Sequence, residues 1–148
     1  MRRPFMLWPL IVILLILATG GGLYGGITML MDPTGDLLGV ADALPLLPVS
    51  NFILPGVFLT VVMGLFPLTL IYGLVARPNW PWVDSFFKWS NYVWPWTATI
   101  ALVVILYIWL AIEGLLMGVF EITYITAVLG LLILLIALLP SIRKFYAR

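Results

Sequence analysis

An all-α integral membrane protein, a four-helix bundle with a short interfacial amphipathic helix between spans two and three, is predicted by three observations. Of 148 residues, 64% are hydrophobic and 9% charged, with a mean hydropathy of +1.21. An ordinary soluble domain is about 25% charged, so the solvent for this chain is lipid. Four apolar stretches are each long enough to cross a hydrocarbon core, which takes about 20 helical residues. With four crossings, all seven cations (Arg2, Arg3, Arg77, Lys88, Arg143, Lys144 and Arg148) fall on one side, and Asp32, Asp36, Asp42 and Glu121 on the other. The positive-inside rule then places both termini in the cytoplasm and the chain, as one multi-pass domain over 1–148, in the cytoplasmic (inner) membrane.

The first span is expected over about 9–31, with Trp8 at the interface and Pro9 at the start, where its missing N–H costs nothing. Arg2, Arg3, the apolar run and Ala18-Thr19-Gly20 imitate a cleaved signal peptide. The run continues past those small residues to Met31, so a retained span is expected. The second span covers about 53–76, with Asn51 as N-cap and Pro55 in the opening turn. Pro67 lies in its inner half, frees the carbonyl of Met63 and should kink the helix. The third and fourth spans, about 96–117 and 122–139, are separated by a tight turn and form an antiparallel hairpin.

Between spans two and three, "PWVDSFFKWSNYV" repeats Trp82, Phe86, Trp89 and Val93 on one helical face. Asp84 and Lys88, on the other face, form a favourable i,i+4 pair. A helix over about 81–93 is predicted, lying in the headgroup layer with Trp82, Phe86 and Trp89 as its anchor. A docking surface for a partner is the sharper alternative. In the outer loop, "DPTG" is a turn signal. Asp32 and Asp36 supply too few oxygens for a calcium loop, and the apolar remainder of the loop is expected to fold over the bundle as a lid.

Five glycines crowd into seven positions of the first span, in "ATGGGLYGGI". The literal G-x-G-x-x-G there lacks the strand and helix that a dinucleotide fingerprint needs. Read as a helix, Ala18, Gly21, Gly22, Gly25 and Gly26 share one face and make a groove about 12 Å long at 1.5 Å per residue. Close backbone approach is what drives helices together in lipid. The occupant is a helix of the same chain, a helix of another subunit, or a flat ligand such as a lipid tail, carotenoid or quinone.

Glu113, in "WLAIEGLLMG", is the one charged-type residue well inside a span. No lysine, arginine or histidine lies at its depth, so it is expected to be protonated or to face a wet pocket. Tyr24, Thr60, Tyr124 and Thr126 fall at its level and complete a candidate polar pocket in the outer leaflet. The bland alternative is a hydrogen bond that pins the bundle.

The combination of "MDPTGDLLG" after a glycine-rich first span, "NFILPGVFL" opening the second and "WLAIEG" in the third resembles a group of small four-span prokaryotic membrane proteins without an assigned activity. The resemblance implies a topology and nothing catalytic. Size and a single membrane glutamate are similar to small multidrug-resistance exporters, but those carry the glutamate in the first span, and no residue carries over.

Cysteine and histidine are both absent, which removes disulfides, thiol redox chemistry, imidazole or thiolate metal sites and histidine-ligated haem. With no paired nucleophile and base, no catalytic residue, metal or obligatory cofactor is expected, and the chain is not read as an enzyme. The expected function is an accessory or structural subunit of a larger membrane assembly, packing through the glycine-rich span. Its partners would be membrane lipids and other membrane subunits or a second copy of the chain, with no nucleic acid. The alternative is a small oligomeric transporter or channel using Glu113 as a proton or cation site.

Overall fold

The computed structural model describes residues 2–148. Among them the chain is all-helical, with no strand beyond an isolated bridge between Tyr92 and Ala147. Three helices are long and apolar enough to cross a membrane: α1 (Leu7–Met31), α2 (Ile53–Ala76) and, after the short α3 (Pro81–Phe86), α4 (Trp94–Met117). A fourth candidate consists of α5 (Glu121–Ala137) and α6 (Pro140–Tyr146), joined at a 68° bend. The bend falls at the end of the fourth span expected over about 122–139. A residue before proline is driven out of the helical region; Leu139 is extended at φ −58°, ψ 139°, and Pro140 opens α6. The Ala137 carbonyl, stripped of its helical donor, receives the Trp96 indole N–H at 2.8 Å.

Both α1 and α2 change pitch midway. Leu17–Tyr24 and Val61–Leu65 are wide π-type turns within otherwise α-helical spans, and the two segments pack on each other. The second span remains one continuous helix of 24 residues through Pro67. A wide π-type turn lies just before Pro67, where the proline ring would otherwise collide with the preceding turn.

The antiparallel α1–α2 pair is joined backbone to backbone. A Cβ added at Gly22 would overlap the Met63 carbonyl, and one at Gly26 would overlap the Thr60 hydroxyl and main-chain nitrogen. From the other side, Gly56 faces the Gly26 carbonyl and Met29, and Gly64 faces Leu23. The groove in the first span is therefore filled by α2. Ala18, Gly22, Gly25 and Gly26 are buried, whereas Gly21 is half-buried, with only Leu17 of its own helix in reach. The π-type pitch rotates residues 17–24 away from ideal 3.6 periodicity, so the five do not form one uniform face.

Toward the end bearing the cations, four helical segments close into a ring. Leu7–Ile16 packs on Phe66–Ala76 and on α5, and α4 packs on those same two. The core here holds Leu7, Leu10, Leu14, Leu70, Leu102 and Ile133, among other residues. At the opposite end the bundle is open. Gly25–Met31 packs closely on Ile53–Thr60, while contact across to α4 comes from the 4.5 Å stack of Phe58 on Trp109 and from the 3-10 turn Ala41–Leu46. Along the α4–α5 hairpin, no residue from Tyr107 to Leu129 is buried.

The backbone contact predicts a sharp asymmetry among neighbouring glycines. Gly22→Ala and Gly26→Ala should each destabilise the protein by about 1–3 kcal/mol, the range for overpacking. Gly20→Ala, whose Cβ meets nothing within 4 Å, should be neutral or stabilise by up to about 1 kcal/mol from helix propensity. Thermal unfolding of the three variants in detergent, followed by circular dichroism, checks this.

Candidate functional site

Glu113 sits in the open half of α4, half-buried, and interacts with the Trp109 side chain one turn back. The residues proposed to surround it do not gather there. Tyr24 and Tyr124 are each 66% exposed. Thr60 lies in the α1–α2 contact against Gly26, and Thr126 is on α5 with its hydroxyl already used. The expected outer-leaflet polar pocket is thus replaced by separate groups. The physical reason is local: Thr19, Thr28, Thr60, Thr69, Thr99 and Thr126 each donate their hydroxyl to the carbonyl four residues earlier. A threonine in a membrane helix satisfies itself this way and needs no cluster.

Two cavities are formed elsewhere, and Glu113 lines neither. One, of about 310 Å³, runs along α4 between Trp89, Ser90, Trp96, Thr97, Ile100 and Val104. Its polar floor is the buried Ser90–Thr97 hydroxyl pair at 2.7 Å. The other, of about 170 Å³, lies beside Arg77, Asn79, Trp80, Asp84 and Trp94. Among the described residues no group of three or more acids could hold a metal ion.

In the outer loop, Asp32 acts as a local organiser. Its carboxylate accepts the Thr34 hydroxyl at 2.6 Å and the Leu37 N–H at 2.9 Å, while Gly35 and Gly39 take positive φ to turn the chain. The loop packs its 3-10 turn beside α4.

The interfacial segment is helical only over Pro81–Phe86, against the predicted 81–93. Phe87 leaves the helix, and Val93 is extended and pairs its N–H with the Tyr146 carbonyl. Trp82, Phe86 and Trp89 still project outward, at 74%, 81% and 77% exposure. With the helix ended at Phe86, Lys88 is no longer one turn beyond Asp84. The carboxylate instead takes a two-pronged ion pair with Arg148 at 2.7 and 2.9 Å, a geometry that a lysine lacks.

Sequence reasoning read residues 140–148 only for their three cations and missed their part in packing. Ile142, Phe145 and Tyr146 are buried, and the Tyr146 hydroxyl donates to the Leu74 carbonyl at 2.6 Å. Arg3 donates to the Val75 carbonyl at 2.9 Å. Two final carbonyls of α2 are thus capped by side chains from opposite ends of the chain. Arg143 and Arg148 bind the Tyr92 hydroxyl and carbonyl, respectively. The available signal was "SIRKFY", whose Ile142, Phe145 and Tyr146 follow helical spacing after Pro140.

Two expectations follow. Tyr146→Phe, which keeps the buried ring but leaves the Leu74 carbonyl without that donor, should cost about 1–3 kcal/mol in a detergent unfolding titration. The Asp32 carboxyl is held below the usual carboxylate range, first by the Thr34 hydroxyl and then by the Leu37 N–H. The order it gives the loop is therefore complete above its unfolded pKa of about 3.9 and lost as pH falls through the lower folded value. Protection of the Leu37 amide, relative to its intrinsic exchange rate at each pH, should persist down to about pH 4 and fall away as pH drops further, whereas Asp32→Ala should remove it throughout.

No protein-family model matches this sequence, and neither a curated protein nor a solved structure matches it.

Proposed function

We propose that this chain is a small accessory or structural subunit of a larger assembly in the cytoplasmic membrane, crossing it four times with both termini in the cytoplasm. The observation that carries the reading is the open end of the bundle. No residue from Tyr107 to Leu129 is buried, and this stretch contains Glu113, an acid with no cationic partner among the described residues. Ala111 is exposed beside it, and Gly114 meets only Val119, at 3.9 Å. Small residues next to a polar group on a membrane helix suit close approach by a second helix, and that helix could donate a hydrogen bond to the acid.

The contact surface differs from the one expected from sequence. The glycines of α1 are occupied within the chain, so a partner helix belongs on the α4–α5 hairpin. A photo-crosslinking residue at Leu115, 88% exposed, should capture a membrane polypeptide or a second copy of the chain. The same residue at Leu15, on the closed half and 46% exposed, should capture lipid. Lipid adducts alone from both positions would sink the reading.

A second reading, a small transporter using Glu113 as a proton or cation site, draws on that same intramembrane acid. It requires Glu113→Gln to abolish proton-coupled flux in liposomes while leaving the protein folded and without partners.

A further inference from the structure

Arg3, near the N-terminus, and Arg77, just past the end of α2, both lie at the end of that helix, where among the described residues neither pairs with an acid. Arg3 reaches the Val75 carbonyl at the end of α2, next to the Leu74 carbonyl taken by the Tyr146 hydroxyl. Arg77, which follows that helix, is held in the left-handed region at φ 49°, ψ 51°, uncommon for a long side chain. Its guanidinium lies 4.8 Å from the Phe145 ring centre and 5.6 Å from that of Tyr146. The Tyr146 ring thus packs beside Arg77, and its hydroxyl takes the carbonyl next to the one that Arg3 takes. Among the described residues the only ion pair is Arg148 with Asp84, so neither Arg3 nor Arg77 has a carboxylate partner.

Capping of the helix end does not balance this charge. A helix C-terminus presents roughly half a negative charge, against two full positive ones, and like charges brought together this way call for an anion. Room for one exists: the cavity of about 170 Å³ opens beside Arg77, with the Asn79 amide and the Trp80 and Trp94 rings on its walls. Asp84 also lines it, but its carboxylate is already neutralised by Arg148. The site lies where α2 ends and α1 is about to begin, at the membrane edge on the cation-bearing side. Trp80 stacks there between Trp82 and Trp94, at 6.3 and 5.1 Å, as aromatic rings at headgroup depth do. We propose that Arg77 binds the phosphate of an anionic phospholipid whose headgroup enters this cavity, with Arg3, which does not line it, adding positive charge from the adjoining helix end.

The test is native mass spectrometry of the protein in mild detergent, offered equal amounts of phosphatidylglycerol and phosphatidylcholine. Wild type should retain phosphatidylglycerol preferentially, and Arg3→Gln and Arg77→Gly should each weaken that preference about fivefold. Glycine accepts the backbone conformation of residue 77 without strain, so Arg77→Gly should fold with at least wild-type thermal stability, which separates loss of the site from loss of the fold. Lys144→Gln, an equal change in net charge at a residue that does not line the cavity, should behave as wild type. The proposal is overturned if Arg77→Gly keeps the full preference, or if Lys144→Gln loses it equally, which would reduce the effect to overall charge. It is also overturned if millimolar inorganic phosphate strips the bound lipid, because the site would then select free phosphate.

Discussion

The contact between the main chains of α1 and α2 governs the rest of the architecture. In lipid the hydrophobic effect does not press helices together, so association depends on how many atoms can come within dispersion range. Gly22 and Gly26 on one side, and Gly56 and Gly64 on the other, remove the side chains that would hold the helices apart. Pro67 takes part in the same contact. It has no N–H to give the Met63 carbonyl one turn back, and that carbonyl is the group against which Gly22 packs. The π-type turns in both spans lie at this crossing, where wide turns let two backbones approach without breaking either helix.

Given that rigid pair, the two ends of the molecule differ in character. At the cation-bearing end the ring of four helices is finished by side chains acting as caps. Tyr146 and Arg3 take carbonyls of α2, Trp96 takes one from α5, and Arg148 ties the C-terminal segment to Asp84 and Tyr92. Each of these satisfies a polar group that lipid could not. At the other end, α4 and α5 run on as a hairpin touching α2 mainly through the Phe58–Trp109 stack. One end is built to be complete in itself, and the other presents apolar surface with Glu113 within it.

Much of this organisation was legible in the residues. The positions of the apolar runs gave the helices to within a few residues, because span length is set by the bilayer and not by tertiary detail. The glycines of α1 pointed to close packing, and the matching face of α2 was readable as Gly56, Thr60 and Gly64 at four-residue spacing. Depth bookkeeping failed for the polar groups. Equal height along the membrane normal does not bring Tyr24, Tyr124 and Thr126 to one point, because azimuth around each helix depends on packing, and the π-type turns shift it further. The predicted Asp84–Lys88 pair failed for a related reason. Local spacing cannot foresee that Arg148 arrives from 64 residues away with better geometry. The C-terminal helix was hidden by its charges, which drew attention from the three apolar residues that bury it.

The break at Leu138 and Leu139 has a consequence for the surrounding membrane. With 17 residues, α5 rises only about 25 Å at 1.5 Å per residue, less than the roughly 30 Å of a typical hydrocarbon slab. The adjoining α4, at 24 residues, rises about 36 Å. Were this hairpin to cross a bilayer, lipids against one flank would be asked to shorten, and those against the other to stretch or let the helix tilt. A molecule with such uneven flanks imposes a wedge on its annulus, and it would settle most easily where a neighbouring protein or a thinner patch of bilayer already supplies the shorter side.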